Sequence, residues 1–455
     1  MRALLIPIGS HGDIAPMVAL GTALVDAGHE VRMLGSPNGK AFAEEHGLRF
    51  DPLGLDIHDW FRNHAEFVQD RPLATFLSMS QEVNAQVRLH VQEMKRHGEW
   101  ADIFVGGGVL HAAASVAEAF GKPYRYIAYC AQIVPSRLHA PYVVPFQRLP
   151  GWANLLSWQL MDLVLLAGAA PALNRVRREL LDLDPVWRIT NQVTPRGSVI
   201  LAVNPDLAPT PYDHDPDLRV TGFLHLPQSG PLPDDVDAFI EAGSPPVYIG
   251  FGSTTDHRAE QTTDLLVQAV EQAGARALIA HGWAGLAQGS LPSSCLAVGP
   301  LPHAVLFPRL SGVIHHGSSG TTATAALAGR PQLIVPHLLD QFYWGKHVQR
   351  VGLGPRPIRR RLLNSKNLSA AIRQLVDDDA MKTRARIFGE RMQQRDGRAE
   401  AVKALEEAVY GRPFVRPIEA KREAALSPPS PAEIAARLAE LPLRGSQPDT
   451  ISLGD

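Results

Sequence analysis

Apolar residues come in short unbroken runs that alternate with stretches of helical periodicity, and the alternation continues along most of the chain. Runs at Arg2–Ile8, Glu30–Leu34, Ile103–Val105, Tyr124–Ala128 and Ser198–Val203 predict buried strands, with a further short one near Arg49. Periodic stretches between them predict helices over Pro16 to Ala27, closing at Gly28, over Lys40 to His46, and over Leu73 to Arg96. The pattern restarts with strands at Val247–Phe251, Ala277–His281, Leu296–Val298, Ser311–Ile314 and Gln332–Pro336. Its predicted helices are Ala259–Ala273, Thr322–Ala328, Lys366–Val376 and Ala380–Tyr410. Strands apolar on both faces and separated by helices belong to parallel sheets covered on both sides, so the expected fold class is α/β, two similar domains in tandem. Asn204 to Pro233, proline-containing and without a long apolar period, separates them. The expected domains are 1–215, 216–410 and a partly disordered tail over 411–455, with one short helical piece at Pro431 to Leu441.

Composition narrows the function classes. At 455 residues the chain is long enough for two cores. Charged residues are 20% with a net charge of −2 and no basic cluster, so a nucleic-acid partner is not expected. Cys130 and Cys295 are far apart, which argues against a disulfide framework and for a reducing compartment. The first strand begins at Arg2, and its apolar part is too short for a signal peptide; the chain is expected to be cytoplasmic. The most apolar later stretch, Leu155 to Leu173, carries Asp162 and Pro171 and reads as a core or interfacial helix, not a membrane span. Oligomeric state is open between monomer and dimer.

The candidate chemistry gathers at Ile314 to Trp344. A strand ends at His315-His316-Gly317-Ser318-Ser319-Gly320-Thr321-Thr322 and leads into an alanine-rich helix. Such a turn binds anions, because first-turn N–H groups point outward and the helix dipole favours negative charge. Ser318, Ser319, Thr321 and Thr322 add hydroxyls, and His316 adds an imidazole. One strand later, Asp340-Gln341 pairs a carboxylate with an amide, suited to sugar hydroxyls. Phosphate donors beside hydroxyl readers point to a nucleotide sugar. The order His-His-Gly-Ser-Ser-Gly-Thr-Thr, Ala-Gly-Arg-Pro-Gln-Leu-Ile-Val-Pro, Asp-Gln-Phe-Tyr-Trp resembles the donor signature of family-one nucleotide-sugar glycosyltransferases, in the bacterial branch acting on sterols, macrolides and glycopeptide antibiotics. With weaker matches elsewhere, the resemblance covers most of Met1 to Tyr410. It implies the GT-B arrangement, two Rossmann-like domains facing each other across a cleft, and inverting hexose transfer to an apolar small molecule.

The resemblance also assigns roles. Gly12-Asp13-Ile14-Ala15-Pro16 is similar to the family's Gly-Asp-x-x-Pro motif, whose aspartate is taken as general base, and its turn sits at a strand end where α/β folds bind ligands. The family commonly has arginine where this chain has His11, so His11 is a second candidate, assisting or replacing Asp13; a helix cap is the alternative role for Asp13. Gly252 and Ser253 follow a strand as another donor turn, His315 is expected to be structural, and Trp283 and His303 are candidate donor contacts. Ser10, Trp60, Phe61, Tyr142 and Phe146 are candidate acceptor contacts, the rings lying in two irregular, aromatic segments over Asp56–Phe76 and Ile133–Leu155. Gly299-Pro300-Leu301-Pro302-His303 has no aromatic to stack on a base, leaving UDP and dTDP open, with UDP-glucose favoured. No cofactor or metal is expected, because the Asp-x-Asp triplets at Asp182/Asp184, Asp213/Asp215 and Asp215/Asp217 lie in polar loops away from the donor motif. A lipid acceptor would bring peripheral membrane contact. A non-catalytic sugar-nucleotide-binding helper and a same-fold epimerase are the competing readings.

Overall fold

A computed structural model describes residues 1–64, 72–108, 110–213, 215, 217–252 and 254–411. Its strands are β1 (Arg2–Ile8), β2 (Glu30–Gly35), β3 (Arg49–Pro52), β4 (Ile103–Gly108), β5 (Tyr124–Ala128), β6 (Val199–Leu201) and β7 (Arg219–Val220) in one sheet. β8 (Val247–Gly250), β9 (Ala277–Ala280), β10 (Cys295–Val298), β11 (Gly312–His315) and β12 (Gln332–Ile334) form a second. The orders are β3-β2-β1-β4-β5-β6-β7 and β10-β9-β8-β11-β12, and every pair is parallel. This is the α/β arrangement that the apolar runs predict, and each sheet has its own core. β1 is buried from Ala3 to Ile8, and Val247, Ile249, Val313 and Ile314 are buried in the second sheet. In each sheet the strand order reverses beside the first strand, between β1 and β4 and between β8 and β11. That is where open parallel sheets leave a crevice at their carboxyl ends.

Several boundaries differ from the sequence expectation. The first sheet continues past residue 215 to take β7 from the expected linker, since Arg219 and Val220 pair with Ile200 and Leu201. The helix Gly397–Tyr410, expected with the second half, returns to the first, burying Ala401, Val402 and Leu405 with Leu5, Met17 and Leu24. Its predecessor ends at Met392 and the chain turns through Gln393–Asp396 before it, a break that uniform periodicity conceals. The Leu73–Arg96 stretch is likewise two helices, Pro72–Ala85 and Val87–Arg96. The first helix starts at His11, five residues before Pro16, with Ser10 as its N-cap residue, the Ser10 N–H satisfied by the Asp13 carboxylate in the first turn.

In the apolar segment the helix Gly151–Gly168 is followed by Ala170–Leu181 at a 56° bend, and among the described residues no single helix is long and apolar enough to cross a membrane. Its inner face buries Asn154, Trp158 and Met161, while Trp152 (71% exposed), Leu156, Leu160 (55%), Leu163 (62%) and Val164 form an apolar stripe facing solvent. The tail beyond residue 411, including the expected helical piece at 431–441, lies outside the described residues, as do Phe67 and the segment 65–71.

Candidate active site

Both crevices open into one cavity of about 220 Å³, lined from the first half by Gly9, Ser10, Gly12, Asp13, Phe61, Tyr129 and Tyr142 and from the second by Thr254, His316, Ser318, Ser319, Asp340 and Gln341. On the first side, the Ser10 N–H and hydroxyl both donate to Asp13 Oδ2, at 2.9 and 3.3 Å. Asp13 is thus the third residue of its helix, not its cap, and its Oδ1 is turned toward Gly108 on the cavity wall: a Cβ built on Gly108 would stand 3.4 Å from it. Burial, reinforced by the charge of Asp340 and opposed by the Ser10 hydrogen bonds, pushes the Asp13 carboxyl up to about 7. An aspartate is an inefficient base at its ordinary pKa near 4; raised to neutrality it is matched to accepting a proton from an alcohol.

His11 is two residues nearer the helix start, about 200° around the helix from Asp13. It is exposed and packs edge-on against Phe42, 4.7 Å between ring centres, so it does not line the cavity. That takes the imidazole away from Asp13.

On the second side, β11 delivers His315 and His316 to opposite environments, as strand alternation requires. His315 is fully buried, with Nε2 on Gln332 Oε1 (2.8 Å) and Nδ1 accepting the Gly317 N–H (3.1 Å). His316 faces the cavity; its ring is held by the Gly250 backbone, Nδ1 has no partner, and burial lowers its pKa to about 3. A neutral ring whose proton is directed to a carbonyl presents a lone pair at the other nitrogen. Gly252 abuts this ring, a built Cβ falling 2.7 Å from its Cε1. Gly317 has φ +98°, and a side chain there would strike Ile334 and the backbone of Gln341.

The turn hydroxyls are partly committed. Ser318 Oγ caps the helix Ser319–Leu327 through the Thr321 N–H and donates to Thr321 Oγ1 at 2.9 Å. Ser319 Oγ reaches across to the Tyr129 carbonyl (2.8 Å), and the Tyr129 hydroxyl donates to the Asp13 backbone carbonyl (2.9 Å). One tyrosine therefore ties the base turn to the phosphate turn. What remains for an anion is the first-turn N–H groups of Ser319 and exposed Gly320, which have no intrahelical partner.

Asp340 begins the helix Gln341–Arg350 and accepts from Trp344 Nε1 at 3.0 Å; burial raises its carboxyl to about 6 against that hydrogen bond. Gln341 Oε1 accepts the His337 and Leu338 N–H groups, leaving its amide nitrogen as the ligand-reading end. Leu339 holds a left-handed φ of 53° next to them, a strained conformation at the cavity wall.

Other expected contacts are placed elsewhere. Trp60 and Phe61 are consecutive in the helix Ile57–Asn63, so only one can face in: Phe61 lines the cavity while Trp60 stacks on His64 behind it. Tyr142 lines the wall, but Phe146 is 59% exposed on an irregular segment between Pro141 and Pro150. Trp283 packs against His58 and Phe61 of the other half, outside the cavity lining. His303 stacks on Phe307, four residues on, and bonds the Tyr248 hydroxyl at 3.1 Å, a role in the second core. Ser253 lies outside the described residues. Periodicity does not single out Tyr129, Thr254, Met79, Val83, Cys130 and Leu338, which also line the wall; the position of Tyr129 directly after strand β5 is the available signal.

Two of the acidic triplets hold loops. Asp213 accepts from Ser136 Oγ and the Arg137 N–H, both 2.7 Å, and Asp215 from the N–H groups of Gly197 and Asp217. Asp56, His58 and Asp59 bring ligand atoms within 4.8 Å of one another, but Asp56 caps its helix, Asp59 pairs with Arg62 and His58 packs on Trp283.

Comparison with known proteins fits this geometry. Residues 3–118 match the glycosyltransferase family 28 N-terminal domain, and residues 266–409 the erythromycin biosynthesis protein CIII-like C-terminal domain. The chain is 34% identical over 362 residues to glycosyltransferase GtfC of Amycolatopsis orientalis, covering 78% of this chain and 85% of that one. It is 30% identical over 419 residues to sterol 3-beta-glucosyltransferase UGT80A2 of Arabidopsis thaliana, 89% of this chain but 65% of that protein, so it spans just under two thirds of the plant enzyme's length. The solved glycosyltransferase VinC, in complex with DTDP, shares its fold with a TM-score of 0.63 at 20% identity over 90% of this chain and 100% of that one. With two parallel-sheet domains and a facing pair of turns at their switch points, the chain belongs to the GT-B glycosyltransferases of the sterol and antibiotic type.

Proposed function

We propose that the protein transfers a hexose, glucose in the first instance, from UDP-glucose or the corresponding dTDP-sugar to a hydroxyl of an apolar small molecule such as a sterol, a polyketide or an aromatic natural product. The observation that carries the reading is the meeting of Asp13, from one half, with His316, Asp340 and Gln341, from the other, in a single cavity. Asp13 takes the proton from the acceptor hydroxyl as its oxygen attacks the anomeric carbon. The diphosphate leaves toward His316 and the Ser319 and Gly320 N–H groups, and Asp340 and Gln341 hold the sugar hydroxyls. Attack from the side opposite the leaving group inverts the anomeric centre. No metal enters this scheme, since helix N–H groups and His316 take the phosphate charge and the acidic loops already bind backbone and neighbouring side chains. The acceptor side is apolar, which favours a lipid-like substrate taken from a membrane surface, with the enzyme working in the cytoplasm.

The experiment is transfer from UDP-glucose and dTDP-glucose to sterol, flavonoid and macrolide acceptors in excess EDTA, with Asp13→Asn beside the wild type. Transfer persists in EDTA, and Asp13→Asn, which can keep the hydrogen bonds from Ser10, lowers it about 10²-fold or more while UDP affinity holds. Activity restored only by Mg²⁺ or Mn²⁺ would overturn metal independence. A fully active Asp13→Asn would remove the base. Tight sugar-nucleotide binding without transfer to any acceptor would favour the helper protein.

A further inference from the structure

A second, inner chamber of about 50 Å³ opens behind the main cavity, with Gly108, Ile133 and Tyr142 lining both. Gly108 is also the residue toward which Asp13 Oδ1 is turned, so the chamber begins at the base. Its walls are largely apolar, built from Leu110, Trp158, Met161, Leu165 and Val193. Several of its polar side chains already have partners: Thr190 Oγ donates to Asp162, Thr194 Oγ to the Thr190 carbonyl, and Trp158 Nε1 to the His139 carbonyl. His111 differs. It lines the chamber, and both of its ring nitrogens are buried without a hydrogen-bond partner.

A buried polar group is rarely left unpaired, and leaving it so destabilises whatever state does it. Desolvation lowers the His111 pKa to about 4, so the ring is neutral, with one N–H donor and one lone pair. That pair matches a hydroxyl through either nitrogen and a carbonyl through the N–H. The chamber has room for a few waters. A ligand end with no polar atom would displace them and leave the imidazole unpaired.

Resting on the glycosyl-transfer reading, we infer that this chamber is a distal acceptor subsite. In it His111 reads a hydroxyl or carbonyl oxygen at the far end of an elongated apolar acceptor whose near hydroxyl meets Asp13. The substrate class is therefore narrower than any apolar alcohol: a rigid molecule oxygenated at both ends. His111 is a specificity-determining residue that does not touch the reacting atoms.

Two steroids differing only at the far end test it, androst-5-en-3β-ol and 3β-hydroxyandrost-5-en-17-one, with binding to the full chain measured by equilibrium dialysis in the presence of UDP. The ketone binds the wild type about 10-fold more tightly. His111→Leu removes that preference and leaves the affinity for the hydrocarbon-ended steroid unchanged or improved, and His111→Gln, which keeps a donor and an acceptor, retains part of the preference. Equal affinity of the wild type for the two, a preference that survives His111→Leu, or no binding of either steroid would overturn the subsite and assign the chamber to ordered water only. Binding is read without turnover, so a bound steroid that receives no sugar counts against the transferase reading and leaves this one standing.

Discussion

A single ring, His316, shows how residue chemistry constrains the donor site. Burial lowers its pKa to about 3, so it meets the donor as a neutral imidazole, with one nitrogen directed to the Gly250 backbone and an unpartnered Nδ1. A diphosphate bound beside this ring favours a second proton on it, and with that proton the ring becomes a charge-assisted donor. Nucleotide binding should therefore be coupled to proton uptake. Titration of UDP by calorimetry near pH 7, in buffers of different ionisation enthalpy, should show more protons taken up by the wild type than by His316→Ala, and the variant should bind more weakly. Identical uptake would mean the ring rotates and donates while neutral, abandoning Gly250.

At the scale of one element, the helix Gly151–Gly168 serves two surfaces at once. Trp158, Met161 and Leu165 line the inner chamber, while Trp152, Leu156, Leu160 and Leu163 are exposed along the outer face. Cations gather at its start. Arg137 packs against Gly151, Arg148 precedes the helix, and Lys346, bonded to the Gln147 carbonyl, is held below its ordinary pKa by burial and then by Arg350 and Arg148. An apolar stripe with a tryptophan and cations at one end fits an anionic lipid surface. Wild type should co-sediment with phosphatidylcholine vesicles containing phosphatidylserine, and the double variant Leu160→Glu, Leu163→Glu should lose about 10-fold or more of that binding. Equal partitioning would assign the stripe another role.

Across the whole molecule, burial sets the response to pH. His90, His111, His139, His303, His315, His316, His337 and His347 all have pKa values lowered to between about 2 and 4, desolvation being the first cause in each. A histidine depressed in the fold contributes stability above its unfolded pKa of about 6.5, and that stability is lost as pH falls toward the folded value. Asp13 and Asp340, raised to about 7 and 6, act oppositely: their contribution is full below about 3.8 and is lost as pH rises. The histidines outnumber them, so melting temperature should fall as pH drops from about 6.5 to 4.5. The Asp13→Asn variant should be the more stable protein at pH 8, where wild type carries a buried carboxylate, and should lose that advantage near pH 4. Scanning calorimetry across that range checks both; a flat profile would mean that water reaches these rings.

The alternation of strand and helix, the two parallel sheets and the family are legible in the order of residues alone. Those follow from local periodicity, from short-range turn chemistry and from the run His315 to Trp344, where motif residues are neighbours in the chain. The same order also places Asp13, His316, Asp340 and Gln341, because a turn at the carboxyl end of a strand opens into the crevice. Which ring of a consecutive pair faces the ligand, as with Phe61 over Trp60, depends on a helix's rotation about its axis, fixed by what packs behind it. The exclusion of His11 from the cavity has the same origin, while Trp283 and Phe146 sit on a turn and an irregular segment whose paths no local period sets. The link that Tyr129 makes between Asp13 and Ser319, and the packing of the last helix on the first sheet, emerge only in the folded chain. Only there does His111 stand unpartnered in a chamber beside the base: such contacts join residues far apart in the chain, where no local pattern records them.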